Sequence, residues 1–298
     1  MKIYLFIVAL LISKYSSSQE NGFANSIGVQ IHYKTFGKGE PILIINGGPG
    51  MNSEGFNGLA KDLAKNNQTI IYDQRGTGAS IMDHTDSSTI TMELMLQDIE
   101  ALRQHLRIDK WIVLGHSFGG MLGSYYTSRY PDRVKALILS SSGGIDLELL
   151  SLLNINSRLS KQDQDSLNFW DVRIANGDTT YHARLERGTF LAPAYVYYRE
   201  NIPIIAVRLT QGNSKINSLM WSDMRKIHFD CAEDLKYFKH PALIIQGEQD
   251  VVDKKLAFKA ARVLPGSKVV FLDHCGHYGW LDNRERYLSE INHFLAVL

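Results

Sequence analysis

The chain has 298 residues, 44% of them hydrophobic and 21% charged, with a formal net charge of +1. That length and balance suit an ordinary globular protein with one large core or two small ones. A charge so near zero supplies no field to gather nucleic acid or an anionic membrane, which argues against a nucleic-acid binder before any motif is read.

In chain order, Lys2 comes first, then the apolar run Ile3–Ile12 and the serines Ser16, Ser17 and Ser18. A basic start, a short apolar core and small residues after it predict a secretory signal peptide over residues 1–19. The run is short for a bilayer-crossing helix, so the expectation is export to the periplasm or beyond, with no stable membrane association after cleavage. The loosely alternating Asn25–Phe36 then predicts one or two strands before the turn Gly37-Lys38-Gly39. Short apolar runs follow at Pro41–Ile45, Thr69–Tyr72, Trp111–Leu114, Lys135–Leu139, Ala242–Ile245 and Val269–Leu272. Runs of this kind suit parallel strands buried on both faces.

Helical patterns lie between them. Met92–Leu106 places Leu94, Met95, Ile99, Leu102 and Leu106 close to a 3.6-residue period. Gly119–Tyr130 stops before Pro131, Leu256–Leu264 ends at Pro265, and Glu285–Leu295 closes the chain. Strand and helix alternate, which predicts an α/β fold with a mostly parallel, doubly wound sheet in two parts, 20–141 and 235–298. From 142 to 234 the alternation stops. This stretch, rich in Tyr, Leu, Arg and Asn, is too long for a structureless connection and predicts an inserted helical cap over the strand ends. Two cysteines, Cys231 and Cys275, make no disulfide framework and are expected as reduced, partly buried thiols. No zinc-ligand spacing occurs, so neither metal nor cofactor is expected.

Gly115-His116-Ser117-Phe118-Gly119 is a G-x-S-x-G motif between a predicted strand and a predicted helix. Its glycines permit a sharp turn that presents the serine hydroxyl at the sheet edge. A serine is a poor nucleophile until a base takes its proton, and this arrangement expects an acid and then a histidine later in the chain. Asp250, in Gly247-Glu248-Gln249-Asp250, follows the strand Ala242–Ile245 and is the expected acid; Asp253 falls a turn later and reads as a helix cap. Of the two histidines after Val269–Leu272, His277 follows a glycine that frees the loop and is the expected base, whereas His274 reads as locally packed. Oxyanion donors are expected from the backbone N–H of Phe118 and of Gly48, with Gly47 as the alternative to Gly48.

Together Gly47-Gly48-Pro49-Gly50, Asp73-Gln74-Arg75-Gly76-Thr77-Gly78-Ala79-Ser80, Gly115–Gly120, the Gly247–Asp250 turn and Gly276-His277 resemble the proline iminopeptidase family of α/β-hydrolases. The resemblance implies the α/β-hydrolase fold and a serine peptidase that releases N-terminal residues from short peptides through an acyl-enzyme. It also implies cap carboxylates that hold the substrate ammonium. Glu200-Asn201 is similar to that family's glutamate-asparagine pair, which makes Glu200 the candidate substrate-binding residue, expected to face the space above Ser117. Trp170-Asp171 is a weaker match to a tryptophan-glutamate pair. Asn46 stands where the family usually has histidine, and Asp73 and Arg75 are expected to brace a turn. The alternative is an esterase or amidase on small acyl substrates, favoured if Glu200 lies on the outer surface. A non-catalytic binding module is the third reading, disfavoured because all three triad members are present in order.

Overall fold

The computed structural model describes residues 19–149 and 155–298. The segment read as a signal peptide lies outside them, Gln19 excepted. In chain order the main elements are β1 (Glu20–Ser26), β2 (Val29–Gly37), β3 (Glu40–Ile45), α1 (Asn57–Leu63), β4 (Asn67–Tyr72), α2 (Met92–His105), β5 (Trp111–His116), α3 (Phe118–Arg129) and β6 (Val134–Ser140). Next come the helices α4 (Lys161–Ala175), α5 (Tyr181–Leu191), α6 (Ile202–Leu209), α7 (Ser214–Lys226) and α8 (Ala232–Leu235). The chain then closes with β7 (Ala242–Gly247), α9 (Lys254–Val263), β8 (Lys268–Leu272), α10 (Gly279–Asp282) and α11 (Arg284–Leu295).

The strands form one sheet in the order β1-β2-β4-β3-β5-β6-β7-β8. The β1–β2 and β2–β4 pairs are antiparallel and the others parallel. The apolar runs are strands because successive side chains serve opposite faces and both faces are covered. Leu43, Val113, Leu137 and Ile244 join one buried cluster, and Ile42, Leu114, Ile138 and Ile245 join the other.

The connections reverse direction at β3. The chain leaves β3 for β4 on one side and returns to β5 on the other, with Ile45 paired to Gly115. In an open α/β sheet, a crevice opens beyond the strand ends at such a switch point, and that is where ligands bind. The loop after β3 and the turn after β5 therefore meet at one place.

Between β6 and β7 the described residues add no strand to the sheet. They form helices, short 3₁₀ turns and an isolated bridge, Asp146 to Asp230, that draws the two ends of the stretch together. Their starts carry local signals: Ser160, Thr180 and Asn213 accept from the backbone of Asp163, Ala183 and Ile216 at the heads of α4, α5 and α7. No helix among the described residues is long and apolar enough to cross a membrane. Cys231 and Cys275 are free and buried.

Candidate active site

Ser117 stands alone between β5 and α3 at φ 56°, ψ −121°. A non-glycine residue with positive φ is strained and persists only where its surroundings hold it. Here they do: Ser117 N donates to Ser140 O at 3.1 Å, and Ser117 O accepts from Gly120 N at 2.9 Å and Gly143 N at 3.0 Å. The loop after β3 passes so close that a Cβ on Gly47 would lie 2.7 Å from the Ser117 Cβ. Only glycine fits there.

His277 Nδ1 lies 2.7 Å from Asp250 Oδ1, with side-chain exposures of 4% and 0%. The same carboxylate oxygen accepts from Val252 N at 3.0 Å, which fixes its orientation. His277 N donates to Tyr195 O at 2.7 Å, anchoring the imidazole's own backbone. With Nδ1 held by the acid, Nε2 is the ring nitrogen left to act. Ser117 and His277 line one cavity of about 260 Å³, together with Gly48 and Phe118. Thus five of the six residues singled out from the sequence, Ser117, Asp250, His277, Gly48 and Phe118, converge.

The competitors sit elsewhere. Asp253 caps α9, accepting from Lys255 N. His274 is exposed at φ 50°, with its ring 5.2 Å from that of Tyr197. Asp73 and Arg75 brace turns as expected: Asp73 accepts from Ser53 N, Ser53 Oγ and Ala79 N, and Arg75 holds both oxygens of Asp98 at 2.7 Å.

Glu200 is the sixth residue, and its expected place is corrected. It is exposed, on a single 3₁₀ turn (Arg199–Asn201), and is absent from the cavity lining. The cause is its neighbour. Asn201 Nδ2 is drawn inward to Asp282 Oδ1 at 2.9 Å, and adjacent residues on a helical turn do not share a face, so Glu200 points to solvent. Asp171 is also spoken for, pairing with Arg187 at 2.5 Å. Among the described residues no carboxylate lines the cavity; its walls include Met121, Ile155, Trp221, Val251 and Val252.

Sequence reasoning missed several residues that shape this site. Asp282 is buried and accepts from Gly276 N, Tyr197 N, Tyr198 N and Asn201 Nδ2, tying the histidine loop to the segment before α6. Arg208 of α6 is buried and donates to Gly47 O at 3.0 Å. Asn217 and Trp221 of α7 and Tyr195 enter the cavity wall. Their partners are mostly main-chain groups, which leave no pattern in side-chain spacing; the asparagine cap of α7 was the one available sign. His116 is fully buried, its ring 4.6 Å from that of His277. Among the described residues, no group of His, Cys, Asp and Glu could hold a metal.

A doubly wound sheet with a strained serine at its switch point, sharing a cavity with a carboxylate-held histidine, defines a hydrolase-type site. Residues 40–283 match the family described as the alpha/beta hydrolase fold, and the chain belongs to it. The chain is similar to the proline iminopeptidase of Heyndrickxia coagulans, 27% identical over 287 residues that cover 92% of this chain and 98% of that protein. It is also similar to the cis-3-alkyl-4-alkyloxetan-2-one decarboxylase of Shewanella oneidensis, 28% identical over 92% of this chain and 87% of that protein. Among solved structures, VinJ superposes with a TM-score of 0.75 at 17% identity, covering 94% of this chain and 99% of its own.

Proposed function

We propose that this chain is a serine hydrolase that cleaves small, uncharged carboxylic esters with apolar acyl groups. In this mechanism Ser117 Oγ attacks the ester carbonyl while His277 Nε2 takes its proton. Asp250 holds the imidazole in the required tautomer and stabilises the imidazolium. The tetrahedral oxyanion is received by the N–H groups of Gly48 and Phe118, the second of which sits at the head of α3, where backbone donors are free. His277 returns the proton to the departing alcohol, leaving an acyl group on Ser117. Water, activated by the same imidazole, then releases the acid and restores the serine.

The observation that carries the substrate class is the cavity itself. Ser117 and His277 open into a space walled mainly by apolar side chains, and among the described residues no carboxylate lines it. A substrate ammonium buried there would lack a counter-charge, a costly arrangement. A neutral acyl chain meets no such penalty.

A second reading, release of N-terminal proline from short peptides, is favoured by the similarity to proteins named proline iminopeptidase. One panel separates the two: short-chain 4-nitrophenyl esters against prolyl and alanyl 4-nitroanilides. The expected result is ester cleavage well above anilide cleavage, with Ser117→Ala reducing turnover by at least roughly 10⁴-fold. Efficient prolyl anilide cleavage with negligible ester cleavage would overturn the ester reading. Survival of activity in Ser117→Ala would overturn the mechanism. We also propose action outside the cytoplasm after removal of residues 1–19; recovery of full-length chain from the cytoplasm alone would contradict it.

A further inference from the structure

Arg208 occupies an unusual position for a cation. It is 4% exposed, and among the described residues no carboxylate pairs with it. Nη2 donates to Gly47 O at 3.0 Å and Nη1 to Asn52 O at 3.3 Å; the guanidinium lies 4.9 Å from the Phe56 ring centre, and Nε has no partner. A buried cation held only by carbonyls and a ring is a poor device for stability. The fold nevertheless makes room for it: a Cβ on Gly55 would lie 2.7 Å from Nη1 and 3.0 Å from Cδ.

The acceptor explains the placement. Gly47 C=O and Gly48 N–H are the two ends of one planar peptide unit, and in a trans unit they point in opposite directions. Gly47 O accepts from Arg208 Nη2 on one side and from Asn46 Nδ2 at 3.2 Å. Two donors on the carbonyl fix the plane of the unit and therefore the heading of Gly48 N–H at the cavity. A cationic donor also withdraws electron density through the amide, which strengthens the N–H as a donor. The rest of the loop is gripped from the same quarter: Asn213 N donates to Gly50 O at 3.0 Å and Asn217 Nδ2 to Pro49 O at 3.3 Å.

We propose that Arg208 is a positioning residue for the oxyanion hole, supplied by the inserted helices and acting through the Gly47–Gly48 peptide. The proposal rests on the reading of Ser117 as nucleophile and Gly48 N–H as oxyanion donor. It assigns to α6 a part in the chemical step although Arg208 touches no substrate.

The test uses the full chain, a short-chain 4-nitrophenyl ester, and a trifluoromethyl ketone of matching acyl length as a transition-state analogue. Arg208→Met is expected to lower kcat roughly 10- to 100-fold while KM changes less than about twofold. Affinity for the ketone falls by a similar factor, because only the oxyanion form needs the aimed donor. Arg208→Lys recovers part of the loss, since an ammonium still donates to Gly47 O. Gly55→Ala keeps the arginine but crowds its guanidinium away from the loop, and shows the same split between kcat and KM. Should Arg208→Met fail to fold, the lysine and alanine variants decide. Unchanged kcat and ketone affinity in the folded variants, or a loss confined to KM, would overturn the proposal. Ser117→Ala run in parallel keeps the two ideas apart: an inactive Ser117→Ala with wild-type Arg208 variants sinks the positioning role alone, whereas an active Ser117→Ala sinks the mechanism beneath it.

Discussion

His116, the residue before the serine, packs against His277, Trp280 and Phe56 with ring separations of 4.6, 4.8 and 5.5 Å. Its ring nitrogens have no well-formed hydrogen bond, the Ser140 backbone being the one polar group that acts on the ring in favour of its charged form. Burial first, and then the neighbouring His277 ring and the Arg208 guanidinium, hold its pKa well below the ordinary 6.5. The folded protein keeps this imidazole neutral, while the unfolded chain takes up a proton once the pH drops below that ordinary value. The depressed folded pKa thus gives stability that is complete above about pH 6.5 and drains away as the pH falls towards the folded value. One proton corresponds to a slope approaching about 1.4 kcal/mol per pH unit. Urea titrations between about pH 5 and pH 7 are expected to show this decline, and His116→Asn to flatten it by that amount. Equal slopes in the two proteins would refute the assignment. At this scale the sequence was most informative where residues follow strands in a fixed chain order: Ser117, Asp250 and His277 could be picked out by their place after strands. Glu200 could not be placed, because a two-residue match says nothing about which face of a turn each residue takes.

Among elements, the short helix α10 has a role beyond its length. Its last residue, Asp282, collects four donors from two separate segments: Gly276 beside the histidine, and Tyr197, Tyr198 and Asn201 before α6. Removing the carboxylate would strand one buried donor, Gly276 N, at about 1–3 kcal/mol, and three part-buried ones at less. Asp282→Ala is therefore expected to cost roughly 3–5 kcal/mol by urea denaturation and to depress kcat through a loosened His277 loop. Stability within about 0.5 kcal/mol of wild type would show that the junction is dispensable. The parallel strands were legible as short continuous apolar runs, α2 by its 3.6-residue apolar spacing, and α3 and α9 by the serine motif and the prolines that bound them. By contrast α1, seven residues containing Gly58, has too few positions to establish a period. The helices between β6 and β7 could be expected as a group but not individually, because their apolar faces answer to the site and to one another rather than to the sheet.

Taken whole, the molecule is a sheet with a core on each face, and its two cysteines belong to different faces. Cys231 packs with Phe229 and Leu235 in one cluster, Cys275 with Tyr278 and Trp280 in the other. Burial pushes both thiols up, away from the thiolate form that reacts. A melting curve is accordingly expected to be the same with and without dithiothreitol, and a maleimide to label the native protein only slowly. A drop in melting temperature on reduction would require a disulfide that this arrangement does not contain. The α/β body was legible in the sequence because alternating strand and helix leaves few topologies. The links between the helices after β6 and the loops of the site were not, because Arg208 and Asp282 bind mainly main-chain atoms that every residue type shares.

Those links bear on protein engineering. Arg208 reaches the loop after β3, and Asp282 reaches back from the body to the strand of chain ahead of α6. A chimera that transplants only the stretch between β6 and β7 into a related enzyme would receive half of each junction. Swapping specificity by cassette should therefore succeed only when Gly55 and Asp282 travel with the graft.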